Sequence, residues 1–149
     1  MENQVIDKDL KEIYKFHKNK KYFKNKKIII TGSSGFIGFY LSKYLVKYFH
    51  KLEISKLYIT CINYKKLKKS FKKIDNKKIF IKKFNVNFDN IDNFKINFDI
   101  VIHAASIASP TFYRKYPIET MQANVKGLWN LLEKLKNKKT KILFFSSSE

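Results

Sequence analysis

Cysteine, arginine, proline and tryptophan are scarce in this chain of 149 residues. The single Cys61 cannot form an internal disulfide, and His17, His50 and His103 do not share the spacing of metal ligands. No apolar run approaches the roughly 18 residues of a membrane-spanning helix, and no signal-peptide pattern opens the chain. Disulfide, metal and membrane roles are set aside, and we expect a cytoplasmic protein.

Acidic residues are also few, and 12 acids against 32 basic residues give a formal charge of +20. Such a charge alone favours nucleic acid or an anionic membrane as partner. Only Arg114 is an arginine, however, although the planar donors of arginine suit bases and phosphates best. Lys, Ile, Phe, Asn and Tyr make up 86 of the 149 residues, and all have codons rich in A and T. We therefore attribute the charge to coding bias and expect no specific nucleic-acid partner.

Apolar periodicity predicts one α/β domain behind a short extension. Residues 1–26 should form a helix and a basic linker, with the helix packed on its own domain; covering a neighbouring subunit is the alternative. From residue 27 to 149, β-rich runs alternate with amphipathic segments, the pattern of a parallel sheet. Predicted strands are 28–31, 57–62, 79–86, 98–104 and 142–145, and predicted helices are 36–49, a short one over 67–74, and 118–135.

Three of the four glycines lie between the first predicted strand and the following helix, in a G-x-x-G-x-x-G spacing. Gly32 permits a tight turn, Gly35 lets backbone N–H groups approach a diphosphate, and Gly38 allows the helix to pack closely on the strand. The start of that helix favours an anion. Strand, turn and helix in this order predict a dinucleotide site. Its expected residues are Gly32, Ser34, Gly35, Phe36, Ile37 and Gly38.

This spacing resembles the extended short-chain dehydrogenase/reductase family of NAD-dependent epimerases and dehydratases. Residues 99–106 are similar to that family's fourth strand and the small-residue loop beside the cofactor, which adds Ala104, Ala105 and Ser106 to the site. The resemblance implies NAD as cofactor. We expect a Rossmann-type doubly wound parallel sheet of order 3-2-1-4-5, truncated before strand six.

Two positions depart from the family pattern. Asn63 stands where an acid usually ends the second strand and binds the adenosine ribose, and Lys65 and Lys66 follow it. Asn85, with Val86, stands where the family often has an aspartate beside the adenine. An asparagine can bind a hydroxyl but does not repel a 2′-phosphate, so NADP stays open beside NAD.

Residues 106–127 closely resemble UDP-glucuronate decarboxylases and, more loosely, dTDP-glucose 4,6-dehydratases and sugar 4-epimerases. In these enzymes the segment lies between cofactor and sugar, which makes Ser109, Tyr113 and Arg114 candidates for substrate contact. Tyr113 is also one of nine tyrosines in an aromatic-rich chain, and an ordinary packing role is the alternative. His103 is expected to be a packed strand residue rather than an acid or base.

The final residues resemble the end of strand five in the same enzymes. By that resemblance Ser147 shares the catalytic hydrogen bond to the sugar, with Ser148 and Glu149 as accessory groups. The family also needs a Tyr-x-x-x-Lys pair on a later helix, where the lysine lowers the tyrosine's pKa for proton transfer. The spacing occurs at Tyr14/Lys18, Tyr22/Lys26 and Tyr64/Lys68. All three precede strand four, and chance alone gives about two among nine tyrosines and 31 lysines.

The resemblance thus implies the NAD-binding part of a UDP-glucuronate decarboxylase-like enzyme, which oxidises C4, releases carbon dioxide and reduces the sugar again. We expect the chain alone to be inactive and the full-length enzyme to be a homodimer acting on a nucleotide sugar. A nucleotide-sugar 4,6-dehydratase or 4-epimerase is the alternative among enzymes. A noncatalytic dinucleotide-binding module is the alternative from another class.

Overall fold

The computed structural model describes residues 2–72, 74–136 and 138–146. The strands are β1 (Lys27–Thr31), β2 (Lys56–Cys61), β3 (Ile79–Lys83), β4 (Ile100–His103) and β5 (Lys141–Phe144). The helices are α1 (Glu2–Phe16), α2 (Phe36–Lys47), α3 (Tyr64–Ser70), α4 (Pro110–Lys115), α5 (Pro117–Met121) and α6 (Gly127–Leu135). None of the helices in these ranges combines the length and apolarity needed to span a bilayer.

The five strands form one parallel sheet in the order β3-β2-β1-β4-β5, which confirms the predicted Rossmann order. In the central strand, Ile29 lies opposite Tyr58 of β2 and Val101 of β4. The carboxyl ends of parallel strands meet at one edge of a sheet, so the loops after β1, β2 and β4 converge there. That edge is where the sequence places the cofactor.

Two apolar layers enclose the sheet. Ile28 and Ile30 face the layer formed with α1 and α2, whereas Ile29 faces Leu131 and Leu135 of α6. The three isoleucines have no exposed surface. A strand covered on both faces needs such an uninterrupted apolar run, because neither face meets water.

The N-terminal helix packs on its own domain, as predicted. Leu10 is buried, the Tyr14 ring stacks on Tyr48 with centroids 4.1 Å apart, and His17 Nδ1 hydrogen-bonds the hydroxyl of Tyr44 at 2.7 Å. Helical spacing predicts an apolar stripe of Ile6, Leu10, Ile13 and Phe16 on this helix, but Phe16 is 75% exposed. The basic linker contains a 3-10 turn at Lys20–Phe23. The domain boundary after residue 26 stays a prediction.

The segment after β4 differs most from expectation. A short helix, α4, precedes the long one, and the single helix predicted over 118–135 is divided by a π-helical turn at Gln122–Lys126. A π turn inserts an extra residue and rotates the helix face that follows. Helical spacing over 118–135 predicts a buried stripe of Met121, Val125, Leu128, Leu132 and Leu135. This prediction was partly wrong, because Met121, Val125 and Leu132 are exposed while Leu131 and Leu135 are buried.

Candidate cofactor site

The first glycine of the motif sits against the chain leaving β4. Gly32 has φ +70°, in the left-handed region that favours glycine. A Cβ at this position would collide with the Ala104 carbonyl and lie 2.5 Å from the Ala105 nitrogen. The Ala104 N–H donates to the Thr31 carbonyl at 3.2 Å. The fold thus brings together two predicted cofactor segments that are about seventy residues apart in sequence.

The other two glycines set the start of α2. A Cβ at Gly38 would collide with the Gly32 carbonyl, so the first helical turn rests directly on the glycine turn. Gly35 caps the helix with extended backbone and without a side-chain hydrogen bond. The first N–H groups of a helix have no partners within the helix, and here no capping side chain supplies one. The positive end of α2 is consequently suited to bind a diphosphate.

Ser34, Phe36 and Ile37, the remaining motif residues, are exposed around this helix end. Behind them the turn is fixed to β2, because the Ser33 N–H donates to the Thr60 carbonyl at 2.9 Å. Cys61 lies buried beside the turn. Burial raises the pKa of its thiol, and contacts with the Ser34 side chain and the Asn63 backbone act against that shift.

At the adenosine end, the structure adds a residue that the sequence analysis did not consider. β2 ends at Cys61, one residue earlier than predicted, so Ile62 directly follows the strand and is 62% exposed. Asn63 was assigned to the position where the family has an acid that binds the ribose. Its side-chain oxygen accepts a hydrogen bond from the Lys66 N–H at 3.2 Å and so caps α3. Its contact with the ribose stays a prediction.

The adenine-side residues follow β3, which ends three residues before the predicted boundary. The strand stops because the chain turns at Asn85, whose side-chain oxygen accepts the Asn87 N–H at 3.0 Å. Val86 is buried against α6, and a Cβ on Gly127 would lie 2.6 Å from its Cγ2. Gly127, the fourth glycine, ends the segment that resembles the decarboxylases, but its packing on Val86 was not predicted because no turn marks it. The cofactor roles of Asn85 and Val86 stay predictions.

His103 links the glycine turn to β4. It is buried, and its Nδ1 hydrogen-bonds Thr31 Oγ1 at 2.7 Å. Its Nε2 makes no hydrogen bond of ordinary geometry among the described residues. Burial lowers the pKa of His103 to about 4, and the Ala123 backbone only partly opposes that shift. The imidazole is therefore neutral at pH 7, in agreement with a packed strand residue.

Acidification is expected to destabilise the fold through His103. The unfolded histidine binds a proton near pH 6.5, and the folded one only near pH 4. The contribution of His103 to the free energy of unfolding is therefore intact above about pH 6.5. It is lost as the pH falls towards 4, by about 3 kcal/mol in all. Urea unfolding of wild type and His103→Gln at several pH values measures the difference in slope. His50→Gln, at an exposed position, is the control; equal slopes in all three proteins would contradict the assignment.

The candidate substrate residues lie on the loop after β4 and on α4. Ser106 and Ser109 are exposed, and the Ser109 carbonyl accepts the Tyr113 N–H at 2.9 Å at the start of α4. Tyr113 is half-buried and Arg114 exposed. Substrate contact by any of them stays a prediction. Ser147, Ser148 and Glu149, the predicted catalytic residues, lie outside the described residues.

The parallel sheet, the glycine turn and the uncapped helix define a dinucleotide-binding Rossmann domain. The sequence profile of the NAD dependent epimerase/dehydratase family matches residues 28–149. The chain belongs to this family, and NAD is the family's cofactor. This confirms the resemblance drawn from the glycine motif and residues 99–106.

Relatives at moderate identity are nucleotide-sugar enzymes. UDP-glucuronic acid decarboxylase 6 of Arabidopsis thaliana is 34% identical over 136 residues, covering 89% of this chain and 37% of the relative. dTDP-D-glucose 4,6-dehydratase of Dictyostelium discoideum is 33% identical over 130 residues, covering 83% and 29%. The chain thus spans 37% and 29% of the length of these two relatives.

Solved structures share the fold. A UDP-N-acetylglucosamine 4-epimerase from Methanobrevibacter ruminantium M1, in complex with UDP-N-acetylmuramic acid, superposes with a TM-score of 0.68 at 24% identity, covering 84% of this chain and 39% of that one. The Bordetella bronchiseptica enzyme WbmF, in complex with NAD+, gives 0.63 at 18% identity, covering 83% and 36%. At these identities the likenesses concern the fold alone.

Proposed function

We propose that this chain is the NAD-binding portion of a nucleotide-sugar-modifying enzyme of the UDP-glucuronate decarboxylase type. The proposal rests on the close packing of the glycine turn, in which Gly32 lies against Ala104 and Gly38 lies against Gly32. We call this arrangement of the turn, the start of α2 and the chain after β4 the cradle. Side chains at these two positions would displace the backbone that surrounds the helix end. The identity to a plant UDP-glucuronic acid decarboxylase supports the substrate class.

In this scheme the residues of this chain bind the cofactor and position it for the reaction. The N-terminal N–H groups of α2 stabilise the diphosphate, and the small Ala104, Ala105 and Ser106 let the nicotinamide ribose lie against backbone. Neutral His103 holds Thr31 beneath the turn without adding charge. When bound, NAD would supply the hydride acceptor for oxidation at C4 of the sugar. The proposed reaction would continue with loss of carbon dioxide from the β-keto acid and end with reduction of the resulting ketone.

Ser109, Tyr113 and Arg114 are proposed to face the sugar nucleotide. They follow β4 at the same sheet edge as the glycine turn, and the cation of Arg114 suits a carboxylate or diphosphate. Ser147, Ser148 and Glu149 are proposed to complete the site. Phe144, the last residue of β5, pairs with His103 of β4, so the strand that precedes them ends at this edge.

A 4,6-dehydratase or 4-epimerase is the second candidate. It is favoured by the Dictyostelium discoideum relative, whose identity is nearly that of the plant decarboxylase. Product mass separates the reactions, because only decarboxylation removes carbon dioxide, a loss of about 44 mass units.

We also propose that the full-length enzyme is a homodimer. Apolar side chains lie exposed along α5, the π turn and α6, where a partner surface would remove them from water. These side chains are Ile118, Met121, Val125, Trp129 and Leu132.

Calorimetric titration with NAD and NADH tests the cradle. We expect binding to the purified chain, weakened at least about tenfold by Gly35→Asp, because the added carboxylate repels the diphosphate. A Cβ at Gly35 meets only the Gly32 carbonyl, at 3.4 Å, so the variant should fold. Asn97→Asp adds the same charge at the opposite edge of the sheet, before β4, and should bind normally. No binding of either nucleotide to folded wild type at millimolar concentration would refute the proposal.

A further inference from the structure

The end of β2 lacks the group that usually selects NAD. In Rossmann domains an acid near this point binds the ribose hydroxyls of NAD, whereas a basic residue accommodates the 2′-phosphate of NADP. Ile62 directly follows the strand and is 62% exposed. Its side chain cannot accept a hydroxyl hydrogen bond, and it does not repel a phosphate.

Lysines surround this strand end. Lys65 and Lys66 are exposed in the first turn of α3, which packs on both β2 and β3. Lys83, the last residue of β3, is exposed and paired in register with Cys61. Ile79 and Ile81, which alternate with Lys83 on β3, pack into the same apolar layer as Leu67 of α3. Lys83 therefore points to the face of the sheet that α3 covers.

The acids near the carboxyl ends of β2 and β3 do not replace the missing carboxylate. Asp89 follows β3, and its carboxylate accepts the Asn85 N–H at 2.7 Å. Asp75 lies before β3, at the opposite end of that strand. The Asn63 side-chain oxygen is engaged by the Lys66 N–H. The charged side chains near the end of β2 are therefore mostly lysines.

We infer that this site accepts a 2′-phosphorylated dinucleotide, so that NADP and NADPH bind at least as tightly as NAD and NADH. The inference rests on the proposed cofactor site. Ile62 removes the discrimination against the phosphate, and Lys65, Lys66 and Lys83 attract it. Because these lysines are exposed, the preference should decrease with added salt.

The test is calorimetric titration of the 149-residue chain with NAD and NADP at low and high salt. We expect a dissociation constant for NADP equal to or below that for NAD in wild type. Ile62→Asp should shift the ratio at least about tenfold towards NAD, since a carboxylate binds the hydroxyls and repels the phosphate. Lys65→Gln with Lys66→Gln should weaken NADP about threefold to tenfold and leave NAD nearly unchanged.

The matched control is Lys15→Gln with Lys18→Gln, which removes two exposed charges beside α1, at the far end of the domain. It should leave the NADP to NAD ratio unchanged. Wild type that binds NAD more tightly than NADP would overturn this inference alone, as would an unchanged ratio in folded Ile62→Asp. Loss of both nucleotides would instead refute the cofactor site itself. If the control lowered the affinity for NADP relative to NAD as much as the Lys65→Gln, Lys66→Gln variant does, the effect would come from net charge alone. That result would also overturn the inference.

Discussion

Replacing Gly32 with alanine is expected to lower the free energy of unfolding by about 2–4 kcal/mol. Part of the loss comes from placing a Cβ on a residue with φ +70°, and the rest from its collision with the Ala104 carbonyl. Backbone atoms directly after β1 and β4 cannot rotate away as a side-chain end can. Small domains have about 5–15 kcal/mol of stability, so this is a large share. Urea unfolding followed by circular dichroism measures it.

Gly35→Ala is the matched control for this experiment. It adds the same methyl group three residues later, where the new Cβ would lie 3.4 Å from the Gly32 carbonyl oxygen and φ is −77°. We expect its stability to remain within about 1 kcal/mol of wild type. Equal stability of Gly32→Ala and Gly35→Ala would show that the turn does not press against Ala104, and would remove the geometric basis of the cradle.

The central sheet could be predicted because its determinants are local. The apolar run around Ile29 marks a strand covered on both faces, and the glycine spacing after it fixes a turn and a helix start. Parallel strands separated by helices leave few arrangements, and a right-handed crossover selects the order found. For the same reason, the glycine turn after β1 and the residues after β4 lie at one edge of the sheet.

The buried face of the helix after β4 and the role of Gly127 depend on tertiary contacts, which the periodicity of the sequence does not show. The π turn at Gln122–Lys126 shifts the buried face from Leu132 to Leu131, and Gly127 is needed only because Val86 packs on it. Asn63 was assigned to the ribose site by its position at the predicted end of the second strand, and that assignment stays a prediction. Because β2 ends one residue earlier than predicted, Ile62 is the first residue after the strand.

The three Tyr-x-x-x-Lys spacings lie away from the loop after β4. Tyr14 stacks on Tyr48 beyond the end of α2, and Tyr22 lies under the Lys141 ammonium, 5.1 Å from the ring centroid, where β5 begins. Both positions are at the amino-terminal edge of the sheet. Tyr64 is on α3, at the adenosine end of the cradle. The geometry therefore gives none of these tyrosines access to the position expected for the sugar.

The 149-residue chain is consequently expected to convert no UDP-glucuronate above a no-enzyme blank. A positioned acid/base pair contributes on the order of 10² to 10⁴ in rate, and the chain spans 37% of the Arabidopsis thaliana relative. Incubation with NAD and UDP-glucuronate, followed by mass spectrometry for loss of carbon dioxide, measures turnover, while calorimetry shows that the same sample binds cofactor. Product above the blank would contradict the expectation. Tyr64→Phe would then decide the source, because activity abolished by that change would assign the proton transfer to the Tyr64/Lys68 pair.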